Sequence, residues 1–381
     1  MRRPSPASAL LLLFLAIICT PSAVQLALEI KRGDSPQAFE IFRQRPVAKN
    51  LRAYERMLEE ESWLVKRTRP WTQYAQFVWL HEAGEKAVLG RDGWLFYKPG
   101  LEYLTRRPEL RAGKNKTDPF SAIIDFRDQL AARRIQLLVL AAPNKESVYP
   151  EELLKRESLP DRVISHETAG LLKKLRGAGV ELVNLFEVFR IAKASQPGTA
   201  LYLRQDSHWS PVGIDVAAQA VANRLLELRW IVPGATHFSG RTIELKRTGD
   251  LIRMLQSEPL ERALVPENIL CSQVLSAESG LVYGDQSDAD LLVIGDSFLR
   301  IFQADEPGGA GFTSHLAEKL GQPVASLISD GGASTLVRQE LFRRPALLTN
   351  KKVVIWEFVE RDIGFGAEGW QIIPLPPPQA D

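Results

Sequence analysis

The chain has 381 residues, of which 45% are hydrophobic and 25% charged, so it can form one large domain or two modest ones around a buried core. Lys and Arg together number 48 and Asp and Glu number 46, so no strong net field favours nucleic acid as a partner. Cys19 lies in an N-terminal apolar run and Cys271 lies in the globular part. We therefore expect no intrachain disulfide and no structural zinc site.

The N-terminal residues are typical of an export signal. Arg2 and Arg3 precede an uncharged run from residue 4 to residue 28 that is rich in Leu, Ile and Ala. This run is long enough for the roughly 20 residues that span a bilayer, and the basic start keeps the N-terminus in the cytoplasm. We predict a periplasmic protein tethered to the inner membrane by residues 1–28, with a cleaved signal peptide as the alternative.

The segment after the apolar run is polar at first and then helical. Apolar residues recur at helical spacing from Leu51, and we expect Pro70 to end this pattern before a second amphipathic stretch at residues 71–81. The predicted organisation of the exported part is a stem and helical lead-in (29–65), the main domain (66–365) and a proline-rich tail (366–381).

The main domain begins with a predicted hairpin and continues as alternating helices and strands. An Asp-Gly turn at residues 90–93 leads into the aromatic stretch 94–97, which is typical of a core hairpin. Apolar runs of strand length then alternate with helical segments, at residues 135–141, 180–185, 291–294, 324–328 and 353–358. This alternation predicts an α/β fold with a mostly parallel sheet flanked by helices, in which ligands bind at the carboxyl ends of the strands.

Ser297 is the candidate nucleophile. The apolar strand ending at Ile294 runs into Gly295, Asp296 and Ser297 and then into a helical segment. Gly295 permits a tight turn, and free backbone N–H groups at a helix N-terminus can stabilise an oxyanion. A Gly-Asp-Ser triplet is common, so Ser297 acting only as a helix N-cap is the structural alternative.

A serine nucleophile needs a base, and His208 fits this role best among the five histidines. If the stretch before the helix near Gly213 is extended, Asp206 and His208 point to the same face, and the carboxylate can orient the imidazole. A helix-capping segment with a buried Trp209 is the alternative. No third metal ligand is near in sequence, so we expect neither a metal nor a cofactor.

Four short motifs occur in a fixed order: Gly-Arg-Asp-Gly-Trp-Leu-Phe-Tyr at 90–97, Asp-Ser-His-Trp at 206–209, Gly-Asp-Ser-Phe at 295–298 and Trp-Glu-Phe at 356–358. In this order and spacing the chain resembles the alginate O-acetyltransferase AlgJ/AlgX family over roughly residues 70–362. The resemblance implies an SGNH-hydrolase-like domain in which the Asp-x-His segment precedes the Gly-Asp-Ser segment, the reverse of ordinary SGNH esterases.

The resemblance implies Ser297 as nucleophile, His208 as base and Asp206 as its orienter. It also implies O-acetylation of an exported polysaccharide, with acetyl groups delivered by a membrane-bound O-acyltransferase partner. Gly295 at the nucleophile turn is a candidate substrate or oxyanion residue, and the glycines Gly331 and Gly332, after the strand at 324–328, are candidates to shape the acyl pocket or to add an oxyanion donor. A carbohydrate acetylesterase of the same fold and a non-catalytic export scaffold are the alternative functions.

Overall fold

A computed structural model describes residues 5–36, 39, 47–105, 118–154, 164–365 and 369–375. Its α-helices are α1 Pro6–Arg32, α2 Ala48–Glu61, α3 Trp63–Leu80, α4 Lys98–Thr105, α5 Pro119–Ala131, α6 Lys145–Val148, α7 Pro150–Leu153, α8 His166–Gly177, α9 Leu185–Ser195, α10 Pro211–Glu227, α11 Asp250–Arg253, α12 Glu258–Ala263, α13 Ser297–Arg300, α14 Phe312–Leu320, α15 Leu336–Arg343 and α16 Asp362–Phe365. Its strands are β1 Ala87–Leu89, β2 Leu95–Tyr97, β3 Gln136–Ala142, β4 Glu181–Val183, β5 Phe238–Arg247, β6 Glu267–Ser276, β7 Leu291–Gly295, β8 Ala325–Ile328 and β9 Val353–Val359.

The chain divides into two compact units, the smaller formed by residues 1–84 and 255–264 and the larger by 85–254 and 265–381. The smaller unit contains α1, α2, α3 and α12. Pro70 lies inside α3 and does not end it, contrary to the prediction; the break between α2 and α3 falls at Ser62, whose side chain caps α3 by accepting from Val65 N at 3.3 Å. The predicted domain bounds at residues 28, 65 and 365 stay a prediction. Most of the proline-rich tail lies outside the described residues.

α1, with 27 residues, is long and apolar enough to cross a membrane. A signal sequence near an N-terminus meets the same criterion, so both alternatives for residues 1–28 are compatible with this helix.

A five-stranded parallel sheet in the order β4-β3-β9-β7-β8 forms the centre of the larger unit. All five predicted apolar runs are strands of this sheet, which confirms the predicted α/β fold. This strand order is that of a doubly wound sheet. The chain runs from β7 outward to β8 on one side, whereas β9, β3 and β4 lie on the other side of β7. The gap between β7 and β9 is the topological switch point, where such folds bind ligands.

Side chains alternate across the sheet and build a core on each face. Leu138, Leu140 and Val293 pack on the side covered by α9, α10 and α14, whereas Leu137 and Val139 pack on the side covered by α5, α8 and α15. Burial of each such side chain stabilises the fold by about 1.5–3 kcal/mol. Because both faces of the sheet are filled by core side chains, the loops at the carboxyl ends of the strands are the part of this unit that can form a site.

Two antiparallel pairs flank this sheet. β1 and β2 form the predicted hairpin, and its turn carries Asp92 and Gly93, both with positive φ, as a two-residue hairpin turn requires. β5 and β6 pair over ten residues each in a ribbon that was not predicted. Most β5 residues are exposed, so the ribbon lacks the apolar signal of a buried strand.

Candidate active site

Ser297 begins the single-turn helix α13 immediately after β7. Asp296, not Ser297, is the N-cap of this helix: the Asp296 carboxylate accepts a hydrogen bond from Phe298 N at 2.9 Å. The alternative in which Ser297 serves only as the cap is therefore wrong. The Ser297 hydroxyl is free to contact a side chain from elsewhere in the fold.

Asp206 and His208 lie in a bent loop before α10 and not in the extended segment that we had considered. The loop is closed by a bridge between Tyr202 and Trp209. The Asp206 Oδ1 atom accepts from the backbone N of His208 at 3.1 Å and contacts His208 Nδ1 at 2.6 Å. A tight turn therefore brings the two side chains together, where the sequence had suggested strand alternation.

The three side chains form a continuous hydrogen-bonded chain. His208 Nε2 is 2.8 Å from Ser297 Oγ, and His208 Nδ1 is 2.6 Å from Asp206 Oδ1. Because Asp206 is a carboxylate, Nδ1 carries the proton that faces it and Nε2 is left to accept from the serine hydroxyl. Asp206 is fully buried and His208 is 7% exposed, so water does not compete with these bonds.

Trp209 joins the histidine loop to the nucleophile turn. Its side chain is fully buried, and its indole N–H donates to Phe298 O at 2.9 Å. The neighbouring Ser210 caps α10 by accepting from Gly213 N at 3.1 Å. The predicted capping role of this segment and its contact with Ser297 therefore coexist, because Ser210 caps α10 while His208 contacts Ser297.

Two residues that were not predicted complete the surroundings of Asp206. Arg247, at the end of β5, donates from Nε to Asp206 Oδ2 at 2.9 Å, and Asp250 N donates to the same oxygen at 3.1 Å. The Asp250 carboxylate accepts from Ser207 N at 2.7 Å and from Ser207 Oγ at 2.6 Å. Its Oδ2 atom lies 3.5 Å from His208 Nδ1. No local pattern marks Arg247 or Asp250, because their partners are more than 40 positions away in the chain.

The charges around His208 have opposing effects on its pKa. Burial alone would lower the pKa of His208, but the Asp206 carboxylate, with smaller contributions from Asp250 and Asp296, raises it above its ordinary value of 6.5. The pKa of Asp206 is lowered despite its burial, because His208 and Arg247 both stabilise the charged carboxylate. Asp206 is therefore ionised wherever His208 titrates.

Asp206, His208 and Asp250 also offer ligand atoms within 4.8 Å of one another, a grouping that metal sites share. Both Asp206 oxygens already accept hydrogen bonds from His208, Arg247 and Asp250. We interpret the group as a hydrogen-bonded ion-pair network on these grounds.

Buried Glu357 supports the nucleophile turn from the neighbouring strand. Its Oε2 accepts from Asp296 N at 3.2 Å, and burial together with Asp296 raises its pKa well above the usual range. A Cβ at Gly295 would lie 2.4 Å from this oxygen, so glycine is needed for the close approach. Glu357 lies within β9, which continues to Val359.

The two predicted loop glycines behave differently. Gly331 lines the cleft beside Ser297 and has a positive φ of 65°. Gly332 does not line it: a Cβ there would meet Leu336, and the Gly332 N–H already donates to Ser329 O at 3.0 Å. Of the pair, only Gly331 is placed to contact a ligand.

Lys145 fixes the histidine loop to the β1–β2 hairpin. Its buried ammonium group donates to Leu95 O at 2.6 Å, Arg204 O at 2.7 Å and Asp206 O at 3.2 Å. Burial lowers the pKa of Lys145 to about 8. The hairpin motif and the Asp-Ser-His-Trp motif are therefore parts of one structure, joined through a lysine that the sequence did not single out.

A cleft of about 650 Å³ opens at Ser297 and His208. Two of its four arginines are ion-paired: Arg247 lies 2.9 Å from Asp206, and Arg300 lies 2.6 Å from Asp305 and 2.9 Å from Asp330. Arg361 instead stacks over the Tyr97 ring at 5.0 Å and lies 5.8 Å from the Phe298 ring. The cleft is thus polar, with paired charges around a serine and a histidine.

A doubly wound sheet with serine, histidine and aspartate close to its switch point is compatible with an SGNH-hydrolase-like protein. Residues 87–360 match the family model described as "SGNH hydrolase-like domain, acetyltransferase AlgX". The chain belongs to this family, and the family predicted from the four motifs is confirmed.

Several relatives are named for acetylation of alginate. The chain is 27% identical over 302 residues to the probable alginate O-acetylase AlgJ of Pseudomonas aeruginosa, covering 75% of this chain and 72% of the relative. It is 29% identical over 301 residues to the AlgJ protein of Pseudomonas putida, with the same coverage. The solved O-acetyltransferase domain of Pseudomonas putida AlgJ matches with a TM-score of 0.58 and 24% identity, over 74% of this chain and 93% of that domain, which supports the fold.

Proposed function

We propose that this protein is an O-acetyltransferase that acetylates hydroxyl groups of an exported polysaccharide through an acetyl-serine intermediate. The observation that carries the proposal is the contact of 2.8 Å between Ser297 Oγ and His208 Nε2, with Asp206 on the other imidazole nitrogen. Membership of an acetyltransferase family supports acetyl as the transferred group.

The first half-reaction forms the acetyl-enzyme. His208 Nε2 takes the proton from Ser297 Oγ as the oxygen attacks the acetyl carbonyl carbon of the donor. The tetrahedral intermediate collapses, the bond to the donor's leaving group breaks, and the leaving group takes the proton from His208. The backbone N–H groups of Ser297 and Gly331 are the proposed oxyanion donors, because both residues line the cleft.

The second half-reaction transfers the acetyl group to the acceptor. A sugar hydroxyl gives its proton to His208 and attacks the acetyl-serine carbonyl, after which Ser297 Oγ leaves and recovers the proton. The polar cleft, with its paired charges and the Tyr97 ring, suits the hydroxyls and ring faces of a saccharide. Asp206 and His208 thus act in both halves.

The donor and the location belong to the same proposal. The apolar α1 supports a periplasmic enzyme held at the inner membrane, and a membrane-bound O-acyltransferase would supply acetyl groups there. The relatives' names point to alginate as their acceptor; for this chain the acceptor class is an exported polysaccharide.

The test is an assay with a chromogenic acetyl ester as donor and oligosaccharides as acceptors. Ser297→Ala, His208→Ala and Asp206→Ala should each lower the rate, on the order of 10³-fold or more for Ser297→Ala. Because the residues act as one unit, the double change Ser297→Ala, His208→Ala should be little worse than either alone.

The same assay separates a transferase from an acetylesterase. A transferase transfers acetyl groups to the saccharide in preference to water, whereas an esterase releases acetate at the same rate with or without acceptor. Wild-type rates in a folded Ser297→Ala variant would exclude Ser297 as the nucleophile, whereas a folded wild type that neither transfers nor releases acetyl groups would leave the scaffold alternative.

A further inference from the structure

Helix α3 of the smaller unit presents an exposed aromatic face. Trp71 is 64% exposed and Trp79 is 75% exposed, values far above those of a packed tryptophan. Trp63, Leu64 and Val78 are also exposed. Viewed down the helix axis, at 100° per residue, the five side chains fall within an arc of about 160°. This is one continuous face of the helix.

The unit's own chain contacts α3 outside this aromatic arc. Ser257 Oγ donates to Pro70 O at 2.6 Å, and Arg69 donates to Gln256 Oε1 at 3.2 Å. The segment 255–264, which contains α12, is therefore attached to α3 through residues that lie outside the arc of the tryptophans. The helix is already anchored to its unit, so the aromatic face is not needed for that packing.

The start of α3 is attached to the apolar helix α1. Trp63 N donates to Gln25 Oε1 at 2.8 Å, and Gln25 lies seven residues before the end of α1, roughly 10 Å at 1.5 Å per residue. The uncharged run ends at Leu28. Trp63 is therefore level with the end of the apolar run, where a spanning helix meets the headgroups.

We propose that the aromatic face of α3 lies in the interfacial zone of the membrane in which α1 is anchored. Tryptophan is favoured at this depth because its ring is apolar and its N–H is polar, and a helix with a broad apolar face lies flat there. Arg67, which falls on the same arc, can extend to lipid phosphates. This inference rests on the proposed membrane location but is independent of the acetyl-transfer chemistry.

The test uses the full chain reconstituted in vesicles of phosphatidylethanolamine and phosphatidylglycerol, with acyl chains brominated close to the headgroup or left unbrominated. Bromine quenches tryptophan on contact. We expect brominated lipid to lower the emission of the wild type, and the triple variant Trp63→Phe, Trp71→Phe, Trp79→Phe to lose most of this quenching. A Trp230→Phe control in the larger unit should keep it.

Flotation of the vesicles provides the companion measurement. Wild-type emission that is equal in both lipids, or quenching that survives in the triple variant, would overturn the proposal; an α3 face reserved for a protein partner would give the first of these results. Failure of the chain to float with the vesicles would overturn the anchor and this face together. Neither result alters the rates in the acetyl-transfer assay, so the two proposals fail separately.

Discussion

Three carboxylates, Asp206, Asp250 and Asp296, raise the basicity of His208, and the Arg247 cation partly offsets the effect of Asp206. Asp206 and Asp250 approach its Nδ1 atom at 2.6 and 3.5 Å, Asp296 adds negative charge from the nucleophile turn, and Arg247 lies on the far oxygen of Asp206. Only neutral His208 can accept the Ser297 proton, so activity should rise with pH through the raised pKa of His208.

Changes at Asp250 and Arg247 should move this pH profile in opposite directions. Asp250→Asn removes a negative charge, so the pKa of His208 falls and the acid limb of kcat/KM moves to lower pH. Arg247→Gln removes the cation beside Asp206, so the limb moves to higher pH. The measurement is the pH dependence of kcat/KM for both variants and the wild type, with a chromogenic acetyl ester as substrate. Shifts of the same sign in both variants, or none, would show that the two residues act only through folding.

Elements with a strong local signal were predictable, and those set by distant partners were not. The strands of the central sheet were found because each is an uninterrupted apolar run between helices. The β5–β6 ribbon was missed because its exposed residues carry no such pattern, and Pro70 was read as a helix end although Ser62 supplies the stronger boundary. Ser297, His208 and Asp206 were predicted from motifs, whereas Arg247 and Asp250 reach Asp206 through tertiary structure alone.

The approach of the β5–α11 connection to the histidine loop can be tested at Gly249. A Cβ there would lie 1.9 Å from Gln205 O and 2.7 Å from Asp206 N, so Gly249→Ala must push Asp250 away from Asp206. We expect a loss of about 1–3 kcal/mol in the free energy of unfolding, together with lower activity.

Gly170, inside α8, is the matched control for Gly249. A Cβ at Gly170 would contact nothing within 4 Å, so Gly170→Ala should be neutral or stabilising by about 0.5–1 kcal/mol. Thermal unfolding of both variants in the same detergent gives the comparison. Equal free energies of unfolding for the two variants would contradict this prediction and would mean that the backbone at Gly249 and the backbone at Gln205 and Asp206 separate at little cost.

At the scale of the whole molecule, Arg2 and Arg3 before the apolar run predict that the rest of the chain lies outside the cytoplasm. Alkaline phosphatase, which is active only outside the cytoplasm, should be active when fused after Gly84, where the smaller unit's first segment ends. A β-galactosidase fusion at the same position should be inactive. The reverse pattern would place the larger unit in the cytoplasm and remove its access to an exported polymer.

The central claim is that Ser297 carries the acetyl group. The most direct measurement is mass spectrometry of proteolytic peptides after the enzyme is mixed with an acetyl ester and quenched with acid. The account predicts one acetyl adduct on the peptide containing Ser297, absent from Ser297→Ala and lost from the wild type when an acceptor saccharide is added. An adduct on another residue that persists in Ser297→Ala, with transfer intact, would contradict it.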